Sequence, residues 1–187
     1  MYDREHAFSL LCENTQSDSL RRHCLAVETA LRFYARKLGE DEALWATVGV
    51  LHDFDYEKHP DEHPLWGVAF LRENGWPEVI IRAVASHADR AGVSRESALE
   101  KHLYAVDELT GFVSAVAYVR PSKSVHEVEV KSVLKKLKTP AFAAAVNREE
   151  IHEGAGLIGL SLEEHIQNVI DALRTNAVEL GLEGTVG

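Results

Sequence analysis

Apolar residues recur along this chain at three- and four-residue steps, the spacing of one face of an α-helix. Leu20, Cys24, Val27, Leu31, Tyr34 and Leu38 form such a row, and Gly39 follows as a stop. Asp41 stands as the N-cap of the next helix, whose row Leu44, Val48 and Leu51 runs directly into His52-Asp53. The segment from Phe54 to Pro64 is acidic and histidine-rich and carries two prolines, which predicts a loop beside that pair. A helix is expected from about Pro64 to Asn74, ended by Gly75. Pro77 opens another, whose inward face holds Ile80, Val84 and His87. Ser97 is placed to cap a long helix to Val119. Its apolar face is Leu99, Leu103, Val106, Thr110, Val113 and Ala117, with Asp107 beside that stripe.

After Arg120-Pro121 the pattern changes. Residues 125–138 read as an amphipathic segment with a basic end, and Thr139-Pro140 as the start of a short alanine-rich helix. Gly154, Gly156 and Gly159 suggest a loop, and Ser161-Leu-Glu-Glu164 a capping box for a last helix to about Leu180. Residues 181–187 are expected to fray. Trp45, Trp66 and Trp76 fall at apolar spacings or before turns and are assigned to packing. No repeat and no hairpin signal interrupts this reading. The fold class is therefore all-α: a helical core over residues 1–121 and a C-terminal helical extension over 122–187, packed on the core rather than independent.

Composition narrows the function. The chain has 187 residues, 45% of them apolar, enough for one sizeable core. Its 20 basic and 30 acidic residues give a net charge of −10, which argues against nucleic acid as the main partner. The two cysteines, Cys12 and Cys24, suggest neither a thiolate metal site nor a disulfide framework. The charged N-terminus lacks the apolar core of a signal peptide, and no apolar run approaches the roughly 20 residues that span a bilayer. A cytoplasmic protein without membrane contact is expected; the oligomeric state is left open.

The candidate chemistry lies in six residues: His23, His52, Asp53, His63, His87 and Asp107. Successive side chains on a helix diverge by about 100°, so His52 and Asp53 reach one ion only from a helix end that faces a pocket between helices. Two carboxylates directed inward, Asp53 and Asp107, demand a positive partner. One or two divalent ions would satisfy them; buried His–Asp hydrogen bonds would do so without metal, and the spacing alone leaves both open. His6, His59, His102, His126, His152 and His165 are assigned surface or packing roles.

The order His23, His52-Asp53, Asp107 resembles the defining pattern of the HD-domain superfamily, all-α metal-dependent phosphohydrolases. Leu51-His-Asp-Phe-Asp-Tyr56 resembles its His-Asp helix end, His63-Pro-Leu-Trp-Gly67 the start of its following helix, Ala83-Val-Ala-Ser-His87 its next histidine helix, and Leu99 to Asp107 the segment delivering the last carboxylate. The likeness covers about residues 18–121. His63 and His87 are what the dinuclear branches carry, bacterial diadenosine polyphosphate hydrolases among them. Where many members place a lysine shortly after the pair, this chain has Tyr56.

The resemblance implies that His23, His52, Asp53 and Asp107 hold one ion and that Asp53, His63 and His87 hold a second. The ions would be drawn from Fe, Mn, Zn, Co or Ni. It also implies hydrolysis of a small phosphorylated substrate, a nucleotide foremost, by metal-bound hydroxide, with His52 and Asp53 as the catalytic pair. Lys58, Arg120, Lys135, Lys136 and Arg148 are the candidate phosphate contacts, with Lys138 in the same basic stretch. Two alternatives use the same ligands: an HD-type di-iron oxygenase, and a nucleotide-binding sensor without turnover.

Overall fold

The computed structural model describes residues 2–185. Among them are nine α-helices and no strand. The first, α1 (Arg4–Asn14), is capped by Asp3 and buries Ala7, Leu10 and Leu11. Next come α2 (Asp18–Leu38), α3 (Glu42–Leu51), α4 (Leu65–Glu73), α5 (Glu78–Ser86) and the long α6 (Ala98–Tyr118). The C-terminal part supplies α7 (Val130–Leu137), α8 (Arg148–Leu157) and α9 (Leu162–Arg174).

Side-chain caps start α2, α3 and α6: the oxygens of Ser17, Asp41 and Ser97 accept the N–H groups of Leu20, Leu44 and Glu100. At Ser97 the box is reciprocal, because Glu100 accepts the Ser97 N–H in return. Ser161 also caps its helix, accepting from Glu164 N at 3.2 Å. Each such cap contributes on the order of 1 kcal/mol.

The central pair is α2 against α3. Their closeness has a visible cause in Gly49, where a Cβ would lie 2.6 Å from Glu28 Cα. Glu28 is itself buried and is held by Arg4 and Arg32, so the backbone there cannot give way cheaply. This approach brings His23 on α2 level with His52 at the end of α3. Fully buried Leu31, Leu51, Phe54, Leu103, Leu109 and Phe112 fill the space between these helices and α6. Each such side chain contributes roughly 1.5–3 kcal/mol through burial. Trp45 and Trp76 are buried, and Trp66 stacks on His59 with ring centroids 3.8 Å apart.

The C-terminal region departs from the pattern-based expectation at three places. Residues 140–146 form turns rather than an alanine-rich helix. Of the three glycines expected in a loop, Gly154 and Gly156 lie in α8, and Gly159 alone stands in the turn after it. Gly154 takes the place of a side chain whose Cβ would stand 2.7 Å from Ala105 Cα, so α8 and α6 cross in near backbone contact. Finally, α9 stops at Arg174, and residues 175–181 continue as turns. Helices α7, α8 and α9 rest on α6, and α9 also rests on α2. The terminal turn is tied down by the Leu182 N–H to Ala177 O and the Val125 N–H to Leu182 O, at 2.7 and 2.8 Å. No helix among the described residues is long and apolar enough to cross a membrane.

Candidate metal centre

Six side chains from five segments meet at one end of the bundle. His23 comes from the second turn of α2 and His52-Asp53 from the end of α3. His63 comes from the turns before α4, His87 from the end of α5, and Asp107 from the middle of α6. Two sets of potential ligand atoms each lie within 4.8 Å of one another: His23, His52, Asp53 and Asp107 in one, Asp53, His63 and His87 in the other. Asp53 belongs to both.

Hydrogen bonding decides which nitrogens face inward. His52 Nδ1 donates to Gly49 O at 2.8 Å, and His87 Nδ1 to Val84 O at 2.5 Å. His63 Nδ1 donates to Asp55 Oδ1 at 2.7 Å, while Asp55 Oδ2 accepts the Gly67 N–H at 2.7 Å. In all three rings Nδ1 carries the proton, so the neutral ring turns a bare Nε2 lone pair into the cluster. Two of these, His63 Nε2 and His87 Nε2, are 3.1 Å apart; His52 Nε2 and His23 Nε2 are 3.3 Å apart. Lone pairs that close repel unless a proton or a metal ion lies between them.

The carboxylates complete the same demand. Asp107 Oδ1 is 2.9 Å from His23 Nε2 and 3.4 Å from His52 Nε2. The two Asp53 oxygens divide between the sets. Oδ2 is 3.4 Å from His52 Nε2, and Oδ1 is 3.2 and 3.4 Å from the Nε2 atoms of His63 and His87. Ligands about 2.0–2.1 Å from one ion leave edges of about 3.0–3.4 Å between themselves, which these spacings match. The donor set fits divalent transition metal: imidazole nitrogens and carboxylate oxygens, three of the four rings fixed by a second hydrogen bond.

Electrostatics in the metal-free cluster follow from the same geometry. Burial alone would push the His52 imidazolium pKa down, yet Asp53 and Asp107 outweigh it and hold the pKa well above its ordinary value. His87 is raised in the same way, against burial, by Asp53. Burial works to raise Asp53 and Asp107, but the facing histidines hold both well below the carboxylate range. Cys24 lies beneath the site, and burial pushes its thiol up to about 12, which leaves it an inert packing group.

The cluster opens into a concavity of about 410 Å³. Ala88, Gly111 and Val146 line it together with Asp89, Glu108 and Glu150. Burial, then the adjacent Asp107, pushes the Glu108 carboxyl up to about 7; its Oε2 accepts the Asn147 N–H at 3.0 Å. Tyr56 stands edge-on to His63 with ring centroids 5.2 Å apart.

None of the five cationic residues expected to contact phosphate lines this concavity. Lys58 donates to Glu13 O and Asn14 Oδ1, tying its loop to the end of α1. Arg148 is engaged with the main-chain carbonyls of Leu137, Thr139, Phe142, Ala143 and Val146, so it shapes the turns that precede α8. Arg120, Lys135 and Lys136 line a separate groove beside Val116 and Pro121, where α6 ends against α7. Lys135 is exposed on α7, Lys136 packs over the Phe142 ring at 4.6 Å, and Arg120 faces Glu127.

Sequence reasoning passed over Asp55. It is almost fully buried and fixes both the His63 ring and the start of α4. Its signal was present as a second carboxylate two residues after Asp53, flanking the buried Phe54. The packing assigned to His102 and His165 is visible: burial lowers both pKa values, that of His165 to about 4, and His165 joins Tyr34 Oη to Ala105 O.

Comparison with known families agrees with this geometry. Residues 20–111 match the family model described as HD domain, so the chain carries an HD domain, and that segment holds all six candidate ligands. Members are in general metal-dependent phosphohydrolases that bind divalent ions. No curated protein and no solved structure matches the chain.

Proposed function

We propose that this protein is a metal-dependent phosphohydrolase that cleaves a phosphate ester of a small molecule, a nucleotide foremost. The observation that carries the reading is the double role of Asp53, whose two oxygens serve two adjoining ligand sets within one HD domain. Divalent ions held there supply Lewis acidity toward phosphoryl oxygens and lower the pKa of bound water.

The chain's own residues contribute position and exclusion. Asp55, Gly49 O and Val84 O hold three imidazoles in the tautomer that offers Nε2 to the centre. His52 and Asp53 form the middle of the site, His52 completely shielded and Asp53 open to the concavity floor. Tyr56 and Val146 line the concavity above that floor, and Gly111, with no side chain, leaves room beside it for a phosphoryl group. Hydrolysis forms a P–O bond from water, breaks the bond to the leaving alcohol and returns a proton to that alcohol. The acidic rim of Asp89, Glu108 and Glu150 means that charge balance for a phosphate comes from the bound ions rather than from side chains.

The test is phosphate release across a panel of nucleotides and sugar phosphates, with Mn, Fe, Co, Ni or Zn loaded in turn. Turnover that disappears with chelator and returns with metal is expected. Oxygen uptake by anaerobically iron-loaded protein, with no phosphate released from any ester, would instead establish the di-iron oxygenase.

A further inference from the structure

Three concavities meet at His23, and they differ in charge. The metal-centre mouth carries Asp89, Glu108 and Glu150. A second, lined by Leu20, Tyr56, Glu57 and Pro60, carries a carboxylate as well. The third is the largest, about 470 Å³, and runs between α2, α6 and the C-terminal turn. Arg22 lines it, the one lysine or arginine among the described residues that line any of the three.

Small residues line its floor, Ala26 from α2 and Gly111 and Ala115 from α6. Ser19, Ser114 and Tyr118 edge it, and Leu180 and Leu182 close the far side. That wall and most of the α6 side lie beyond the HD match, so the groove is completed by this chain's own C-terminal region. The Arg22 guanidinium packs over Gly181, where a Cβ would stand 3.1 Å from Nη1. No hydrogen bond or ion pair occupies it among the described residues.

His23 differs from the other three ligand histidines. Their Nδ1 atoms have fixed acceptors, whereas His23 Nδ1 faces Gly111, 3.9 Å from where its Cβ would be, and its side chain is 23% exposed. With Nε2 turned to the cluster, Nδ1 carries a hydrogen beside Gly111, where this groove adjoins the metal-centre mouth. Metal-bound histidines ordinarily donate that hydrogen to a carboxylate, carbonyl or water, and the groove is where an acceptor would have to come from.

We propose that this groove is the subsite for the organic part of the substrate. It takes a flat ring on the Ala26–Gly111–Ala115 floor, an acceptor oxygen against His23 Nδ1–H and an anionic group against Arg22. The assignment rests on the phosphohydrolase reading and narrows it to phosphate esters or anhydrides whose leaving group carries both a ring and a second anion. The volume suits such a group. The anion is a phosphate or a carboxylate, which Arg22 would bind through the same planar fork.

The test is an NMR titration of zinc-loaded protein with inorganic phosphate, phenyl phosphate, 4-carboxyphenyl phosphate and ADP. Inorganic phosphate should move Ala88 and Asp53 signals only. The three ring-bearing ligands should also move the Gly111 and Ser114 amides and the His23 Nδ1 resonance. Arg22→Ala should weaken 4-carboxyphenyl phosphate, ADP or both by about tenfold, the loss of one charge-assisted contact, and leave phenyl phosphate unchanged. Which of the two weakens identifies the anion. Ala115→Phe, on the groove floor, should block all three ring compounds and spare inorganic phosphate. Ring ligands that leave Gly111 and Ser114 unmoved, or an Arg22→Ala protein that binds every ligand as before, would overturn the groove assignment alone. Failure of inorganic phosphate itself to bind would overturn the phosphohydrolase reading and the groove with it.

Discussion

The two ligand sets are built to different standards of rigidity. Around His63 and His87, each imidazole is fixed by a short hydrogen bond from Nδ1, one to the buried Asp55 and one to Val84 O. Around His23 and His52, only His52 is fixed this way, and His23 sits at a solvent-lined opening. One half of the centre is therefore preorganised by the protein. The other has a ligand whose outer partner the fold leaves out. The difference places the rigid support on the side of α4 and α5 and the adaptable edge on the side of α2, where the largest groove begins.

Asp53 is the one ligand the halves share, so its loss erases the comparison. Asp53→Ala should empty both sets, and elemental analysis of purified protein should find no bound transition metal and no activity above background. Retention of one tight equivalent would show that the sets are independent.

Asp55→Asn separates the halves instead. It replaces the carboxylate partner of His63 and touches nothing in the other set. Affinity for one ion of two should fall by about 10–100-fold, with the first equivalent unchanged, as read by calorimetric titration. Equal weakening of both equivalents would contradict the division.

Gly49→Ala acts on the opposite half through packing. Its methyl would meet the Glu28 backbone and push α3 from α2, displacing His52 from His23. Overpacking of this kind costs about 1–3 kcal/mol, a fall in Tm of about 6 °C for a chain of this size. Gly154→Ala should cost a similar amount at the α6–α8 crossing but lower metal content less, because α8 carries no ligand and the strain reaches only Asp107, through Ala105 on α6. Metal loss in both variants alike would mean that the centre reports on global stability rather than on the α2–α3 approach.

The smallest effect expected is that of pH on the metal-free protein. His52 and His87 are raised above 6.5, so their stabilising contribution is complete below about pH 6.5 and fades as pH rises through their folded values. Asp53 and Asp107 are lowered below 3.8, so theirs is present above about pH 4 and lost as pH falls. Thermal melts of chelated protein should peak between these limits and decline toward pH 9. Added zinc should restore the alkaline side, since metal replaces the protons and binds more tightly as they leave.

The core was legible in the sequence because its helices follow one rule. Apolar rows at helical spacing, with Ser97, Asp41 and Gly39 at their ends, marked α2, α3 and α6 to within a residue or two. Inward carboxylates pointed to a positive partner, and the resemblance to the HD-domain pattern supplied the six ligands that meet there. The C-terminal region was less so. Thr139-Pro140 has the form of a helix start, yet over residues 140–146 the chain instead follows the carbonyls gathered by Arg148. Gly154 looked like a loop residue because close helix crossing and loop formation both favour glycine, and only the position of Ala105 tells them apart. Arg148 and Lys58 looked available for phosphate because side-chain partners among main-chain carbonyls leave no trace in a sequence. Arg22 shows the converse, an arginine beside a ligand histidine whose place at a groove depends on a turn some 160 residues later in the chain.

Anomalous diffraction at the manganese edge, from crystals grown with Mn, tests the central claim most directly. Two peaks should appear, one among His23, His52, Asp53 and Asp107 and one among Asp53, His63 and His87. A single peak, or none at these side chains, would contradict a centre shared through Asp53.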